Sequence, residues 1–542
     1  ARMLIDSEQN TAAEKILGEA LKRNPQHLEA LTMLAASQFL RDDLAAYRRT
    51  KQRLFRFNAR YTLFFHKVVE IAVRHHRYAD AIRLSQQAIR LDPKDWYSLA
   101  DLGSNYLRLG DDSNGLKYLR QAWRGDQFNV RSYNLLNLYE DVLAGQYTFI
   151  HSKHFRLRVH KAEQKLIQRV VLPVLEQAYA TYVKKYRFRP SHPITVELFR
   201  DAKHYAIRTV GLPALAALAV CFGPVITTTS PTLGRFNWGQ VLWHELNHVF
   251  TIQLSRSRVP RWLTEGLADM EPVLHNPQWK RENDFDIYTA LRSGRLHGLA
   301  SFNTAFTRAR SIGEMVVAYY QGSLMAAHLV DGWGLPKVIA ALKQYGRGRR
   351  TAQILPAITG LSLTQLDSRF RAAQLKRLAA YGKSWYVDRQ SFDDLDRRRE
   401  KARAKPADAR AQAALALAQL LAGKPQAADR AAAQALTRDP KQREALFVRA
   451  QIALSRKRHA DARQHLLRLI AAGGDGYQAR LSLGRLALQQ DDLKRAEAEL
   501  ARAKAFDPER SEPAQLLAGA YHKRKQVDRL IGELKQLARL EQ

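Results

Sequence analysis

The sequence predicts a multidomain, mainly α protein in which two α-solenoid arrays of paired helices flank an α+β domain. Three observations carry that reading. Asn24-Pro25, Asn58, Asp92-Pro93 and Asp126 recur at a 34-residue step, and Lys405-Pro406, Asp439-Pro440, Gly473-Gly474 and Asp507-Pro508 keep the same step. Between the two series, His154–Val159 and Ile194–Phe199 alternate apolar and polar residues, as half-buried strands do. The same interval holds Gln240–Phe250, a stretch with apolar residues at helical spacing that contains His-Glu-x-x-His. The expected boundaries are 1–145, 146–385 and 386–542.

At 542 residues the chain is too long for one core. A hydrophobic share of 46% with 26% charged residues is ordinary for folded domains and excludes wholesale disorder. No stretch approaches the ~18 uninterrupted apolar residues of a membrane-spanning helix. The single cysteine, Cys221, excludes an intrachain disulfide. The formal charge of +35 is mostly arginine spread along the whole chain. It lacks the aromatic-studded basic stripe of a nucleic-acid interface, so no specific nucleic-acid partner is expected.

In the first array, Ala13, Ala20, Ala81, Ala88 and Ala122 recur at matching phases, and Leu102-Gly103 with Tyr106 occupies the first helix of one unit. Small residues at those places let paired helices approach closely. Period and small residues together resemble the tetratricopeptide repeat. Counted backward, the first unit lacks most of its first helix, so further repeats, with room for a targeting segment, are expected before Ala1. In the last array Ala428, Ala462 and Ala496 hold one phase and Ala435 and Ala503 another. Stacked helix pairs make concave grooves suited to extended peptides, so a protein partner is expected there.

From about Gln146 the pattern changes. A strand over His154–Val159 is followed by a helix over Glu163–Lys185, a strand over Ile194–Phe199 behind Pro193, and a helix over Ala202–Val210. Ala219–Thr228 reads as a strand pair broken at Gly223-Pro224. An α+β lobe thus delivers the chain into the motif helix.

On that helix His244 and His248 stand four apart, so both rings leave one face toward a single point. Two neutral imidazoles there suit Zn²⁺, which takes nitrogen ligands in tetrahedral geometry. Glu245 lies beside that point, where a carboxylate can take a proton from the attacking water. Catalytic zinc needs a third protein ligand, and Pro260–Asp269 offers Glu265 on a second helix. Asp269, four residues on, is placed to accept the free N–H of a ligating histidine and fix its orientation.

His244-Glu245-x-x-His248 followed by Trp262-Leu263-x-Glu265-Gly266-Leu267-Ala268 resembles the gluzincin clan of zinc metallopeptidases, in particular the bacterial peptidase MA-like branch, over roughly residues 146–385. The resemblance implies a thermolysin-like zincin domain, with zinc on His244, His248 and Glu265, Glu245 as general base, Asp269 as the partner of His244, and a peptide or protein substrate. It also implies an edge strand lining the cleft, a role that falls to the Val220–Thr228 region. Related aminopeptidases carry an oxyanion-stabilising tyrosine three or four residues before a glycine on a downstream helix. Tyr319, three before Gly322, matches that spacing, and Tyr320 is its rival. The Gly-x-Met-Glu-Asn type of motif that anchors a free amino terminus is missing before the His244 helix, which favours endopeptidase over aminopeptidase activity. The competing expectation is a repeat adaptor whose zincin-like domain is not catalytic.

Overall fold

The protein is described from a computed structural model covering residues 1–191, 193–215, 217–279, 283–387, 395–508 and 510–541. It is mainly α-helical with one small sheet, and it divides into two compact units. The first comprises Ala1–His275, His297–Ala309 and Ala318–Asp367; the second comprises Asn276–Leu296, Arg310–Val317 and Ser368–Gln542. Among the described residues no helix is long and apolar enough to cross a membrane.

The first unit opens with four helix pairs: Arg2–Asp6 with Asn10–Arg23, Leu28–Leu40 with Leu44–Phe57, Leu63–Arg74 with Tyr78–Leu91, and Trp96–Arg108 with Asp112–Gly125. The periodic Asn and Asp residues have a local task. Asn24, Asn58, Asp92 and Asp126 each end a second helix in extended backbone. Their side chains accept the backbone N–H two residues on, at 3.1, 3.0, 2.9 and 3.0 Å. This Asx turn satisfies a donor that the broken helix would otherwise leave free. The periodic alanines Ala13, Ala81, Ala88 and Ala122 are fully buried between helices.

The same unit holds a five-stranded sheet of order β1-β2-β3-β5-β4: β1 Tyr147–His151, β2 Phe155–His160, β3 Ile194–Phe199, β4 Ala219–Cys221 and β5 Val225–Thr229. β2, β3 and β5 run parallel, while β1 and β4 pair antiparallel at the two edges. The helix Gln164–Tyr186 supplies the β2–β3 crossover that a parallel pair requires. Sequence alternation missed β1, and only the β4 half of the Val220–Thr228 region is an edge. β5 is buried along its whole length between β3 and β4.

Glu197 on β3 is 1% exposed and pairs with Arg158 Nη1 at 2.6 Å and Arg208 Nε at 2.7 Å. Arg158 also meets Asp112, and Arg208 donates to the Leu107 carbonyl at 2.8 Å. A buried charge persists only when paired, and here the pairing joins sheet to helical array.

The second unit carries the later helix pairs, from Ala409–Leu421 with Pro425–Arg438 to Ser511–Lys523 with Val527–Glu541. Within it Tyr386 stacks on Phe285 at 4.1 Å and donates to the Phe506 carbonyl.

Candidate metal centre

The motif helix spans Trp238–Leu254 and starts at Asn237, whose side chain accepts the Gln240 N–H at 2.9 Å. Leu242, Leu246, Val249 and Phe250 are buried. Phe250 packs against Tyr179, Tyr182 and Tyr186 of the crossover helix. With one face committed to the core, His244 and His248 emerge from the other.

The second helix, Arg261–His275, buries Trp262, Leu263 and Leu267 and turns Glu265 toward the imidazoles. His244 Nε2 and His248 Nε2 lie 3.1 Å apart, and Glu265 Oε2 is 3.6 Å from the first and 3.3 Å from the second. Among the described residues this is the group able to hold a metal ion, its ligand atoms all within 4.8 Å of one another. The outer nitrogens are engaged as well. His244 Nδ1 donates to Asp269 Oδ1 at 3.0 Å, and His248 Nδ1 lies 2.8 Å from the Thr264 hydroxyl. Each ring therefore turns its Nε2 into the cluster, which is the nitrogen donor set that zinc takes.

The electrostatics fit a cation. Although buried, Glu265 is held well below the usual carboxylate range, because the two imidazoles and Arg261 outweigh desolvation. Burial alone would lower the His244 pKa, but Asp269 and Glu265 push it up to about 10. Burial raises the Glu245 pKa, against the pull of His244 and His248.

The cluster opens into a cavity of about 670 Å³. Glu245, Tyr319, Arg261 and the edge residues Ala219, Val220 and Cys221 line it; Tyr320 is not among the lining residues. Arg261 links Glu265 to Tyr319, with Nε 3.3 Å from Glu265 Oε1 and Nη2 3.4 Å from the phenol oxygen. Nearby Glu265, and then burial, raise the Tyr319 pKa, so the phenol keeps its proton. A close helix crossing places that phenol. A Cβ on Gly266 would lie 2.4 Å from the Gly322 carbonyl oxygen, so the helix bearing Glu265 touches the Ile312–Trp333 helix backbone to backbone.

Three contributors were invisible to motif reading. Arg261 and Thr264 flank the Glu265 motif but gain meaning only from side chains distant in sequence. The third is a wall built by the helical array. Glu8, Asp42, His76 and Gly110, again 34 residues apart, have φ of 60, 57, 56 and 83°. Each closes the turn inside one helix pair with a left-handed residue. Glu8 and His76 line the cavity, Asp42 grips Arg258, and the Gly110 carbonyl faces Arg156. The signal was the repeat period itself, which marks where turns recur but not what they face.

A tetratricopeptide repeat family model matches residues 69–129, 413–477 and 460–511. No curated protein matches the chain. Among solved structures, the crystal structure of yeast Tom70 is similar at 13% identity, covering 95% of this chain and 92% of that one with a TM-score of 0.26. The crystal structure of the APC/C hetero-tetramer Cut9–Hcn1 is similar at 11% identity, covering 99% and 92% with a TM-score of 0.26. Both helical arrays of this chain carry tetratricopeptide repeats, a module through which proteins bind protein partners.

Proposed function

We propose that this repeat protein engages protein partners and hydrolyses peptide bonds at a zinc site in its sheet lobe. The observation that carries the catalytic half is the convergence of His244, His248 and Glu265 beside Glu245 on an open cavity. Zinc held by these three residues would polarise the scissile carbonyl and make the attacking water more acidic. Glu245 takes a proton from that water as its oxygen adds to the carbonyl carbon, and delivers it to the departing amine as the C–N bond breaks. Tyr319 donates a hydrogen bond to the carbonyl oxygen as charge builds there. Asp269 and Thr264 hold the two imidazoles in place, and Arg261 holds Glu265 and Tyr319. Absence of an amino-terminus-anchoring motif favours internal cleavage.

Metal analysis of the purified chain, followed by digestion of a peptide library, tests this. One zinc per chain and cleavage abolished in Glu245→Gln are expected. Zinc well below half an equivalent, or equal cleavage by the Gln variant, would sink it.

A second reading is an adaptor whose metal lobe is not catalytic. It has the firmer support from similarity, because the family model matches the repeats of both arrays. It predicts a zinc-loaded protein that captures a protein partner through the repeats and cleaves no library peptide.

A further inference from the structure

We propose that His76, supplied by the first repeat array, contacts the substrate at the metal site. The inference rests on the peptidase reading and deepens it by assigning the array a part in the chemistry.

His76 closes the third turn of the array and lines the same cavity as His244, Glu245, His248, Glu265 and Tyr319. Its ring is fixed from behind. Nδ1 lies 3.2 Å from the Tyr78 hydroxyl, and the imidazole meets the Tyr78 ring edge to face at 5.8 Å. Tyr78 is 5% exposed and packs in turn on Phe222, next to β4, at 5.7 Å. When Tyr78 donates to Nδ1, the ring proton sits on Nε2, which is then a donor. Burial lowers its pKa to about 4, with His248 adding to the effect, so the ring is a neutral donor rather than a competing cation. A peptide carbonyl in the cavity is the group such a donor recognises.

An internal comparison separates function from turn geometry. Gly423, Lys457, Asp491 and Lys525 take the same left-handed turn in the second array, with φ of 68, 57, 56 and 55°, and all four are exposed. The backbone requirement is therefore met by glycine, lysine or aspartate alike. It does not call for histidine. Nor does it call for an aromatic support two residues on.

The test uses His76→Asn, because asparagine adopts left-handed backbone readily and preserves the turn while shortening the reach. The probe is a dipeptide phosphoramidate, whose tetrahedral phosphoryl group copies the geometry of the hydrolytic adduct. Its binding is measured by calorimetry on the zinc-loaded full chain carrying Glu245→Gln. Adding His76→Asn is expected to weaken binding about tenfold or more, with zinc content and melting temperature unchanged. His76→Gln, which keeps a donor on a longer side chain, should recover part of that loss. Binding within twofold of the parent in His76→Asn overturns the proposal and leaves the peptidase reading standing. Failure of the zinc-loaded Glu245→Gln chain to bind the phosphoramidate, together with no cleavage of library peptides by the zinc-loaded wild-type chain, overturns both.

Discussion

Asp42 and Arg258 meet through two parallel charge-assisted hydrogen bonds, Nε to Oδ2 at 2.7 Å and Nη2 to Oδ1 at 2.8 Å. Asp42 closes the second turn of the array, and Arg258 lies in the connector between the helices that carry His244 and Glu265. That connector also contains Arg256 and Ser257 at φ of 51 and 60°, so it is strained backbone held by an outside clamp. Asp42→Ala should destabilise the protein by about 2 kcal/mol, the scale of losing a charged hydrogen-bond partner, and weaken zinc binding by displacing Glu265. Thermal melts and metal competition check both. Burial alone would raise the Asp42 pKa, but Arg258 and Arg77 bring it below the ordinary value. A depressed carboxylate stabilises the fold above its unfolded pKa of ~4 and loses that contribution as pH falls further. Asp42→Asn should therefore flatten the acid limb of the stability curve, and an unchanged limb would remove Asp42 from that role.

On the proposed reading, zinc and a proton would compete for His244. With that imidazole pushed up to about 10, zinc binding there would release a proton at neutral pH. Apparent zinc affinity should rise about tenfold per unit between pH 7 and 9, for one displaced proton. The metal-free protein should show the opposite trend. A His pKa raised above its unfolded value of ~6.5 stabilises fully below that pH and loses the contribution as pH climbs toward 10. Asp269→Asn should lower zinc affinity by roughly 10–100-fold. Chelator titrations across pH measure the two affinities, and thermal melts of the metal-free protein across pH measure its stability.

The phenol pair separates cleanly. Tyr319 lines the cavity and touches Arg261, whereas Tyr320 is outside the lining set. Tyr319→Phe should leave zinc content and melting temperature nearly unchanged and cut turnover ~10²-fold, as loss of one oxyanion donor does. Tyr320→Phe should cost little turnover. The reverse pattern in steady-state assays would reassign the role.

Gly266 tests the helix crossing. An added methyl cannot fit 2.4 Å from the Gly322 carbonyl, so Gly266→Ala must part the two helices. Overpacking of this kind costs about 1–3 kcal/mol. Turnover should fall further than stability alone explains, because Glu265 and Tyr319 ride on the separated helices. A crystal structure of the variant with the crossing unchanged would refute this.

Much of this was legible in the chain. The periodic Asn and Asp residues exposed the repeats because Asn24, Asn58, Asp92 and Asp126 each close a local Asx turn, and local geometry leaves a local signature. The clustering of His244, His248 and Glu265 was legible for the same reason, being set by spacing along two helices. β1 was not, because Tyr147–His151 is aromatic and polar without clean alternation and gains its place only by pairing with β2. The Arg158–Glu197–Arg208 network and the grip of Asp42 on Arg258 join residues far apart in sequence, where no periodicity reaches. His76 fell in the same gap.

The repeated turn also makes the four N-terminal units unequal in what selection can see. A change at the second or fourth turn is read through docking and stability, whereas one at the first or third alters the wall of the cavity itself. Exchange of one 34-residue unit for another could thus retune what fits the cavity, while His244, His248 and Glu265, carried on other helices, stay untouched. Duplication and drift of ordinary binding repeats would then be a route by which such a protein acquires new binding preferences.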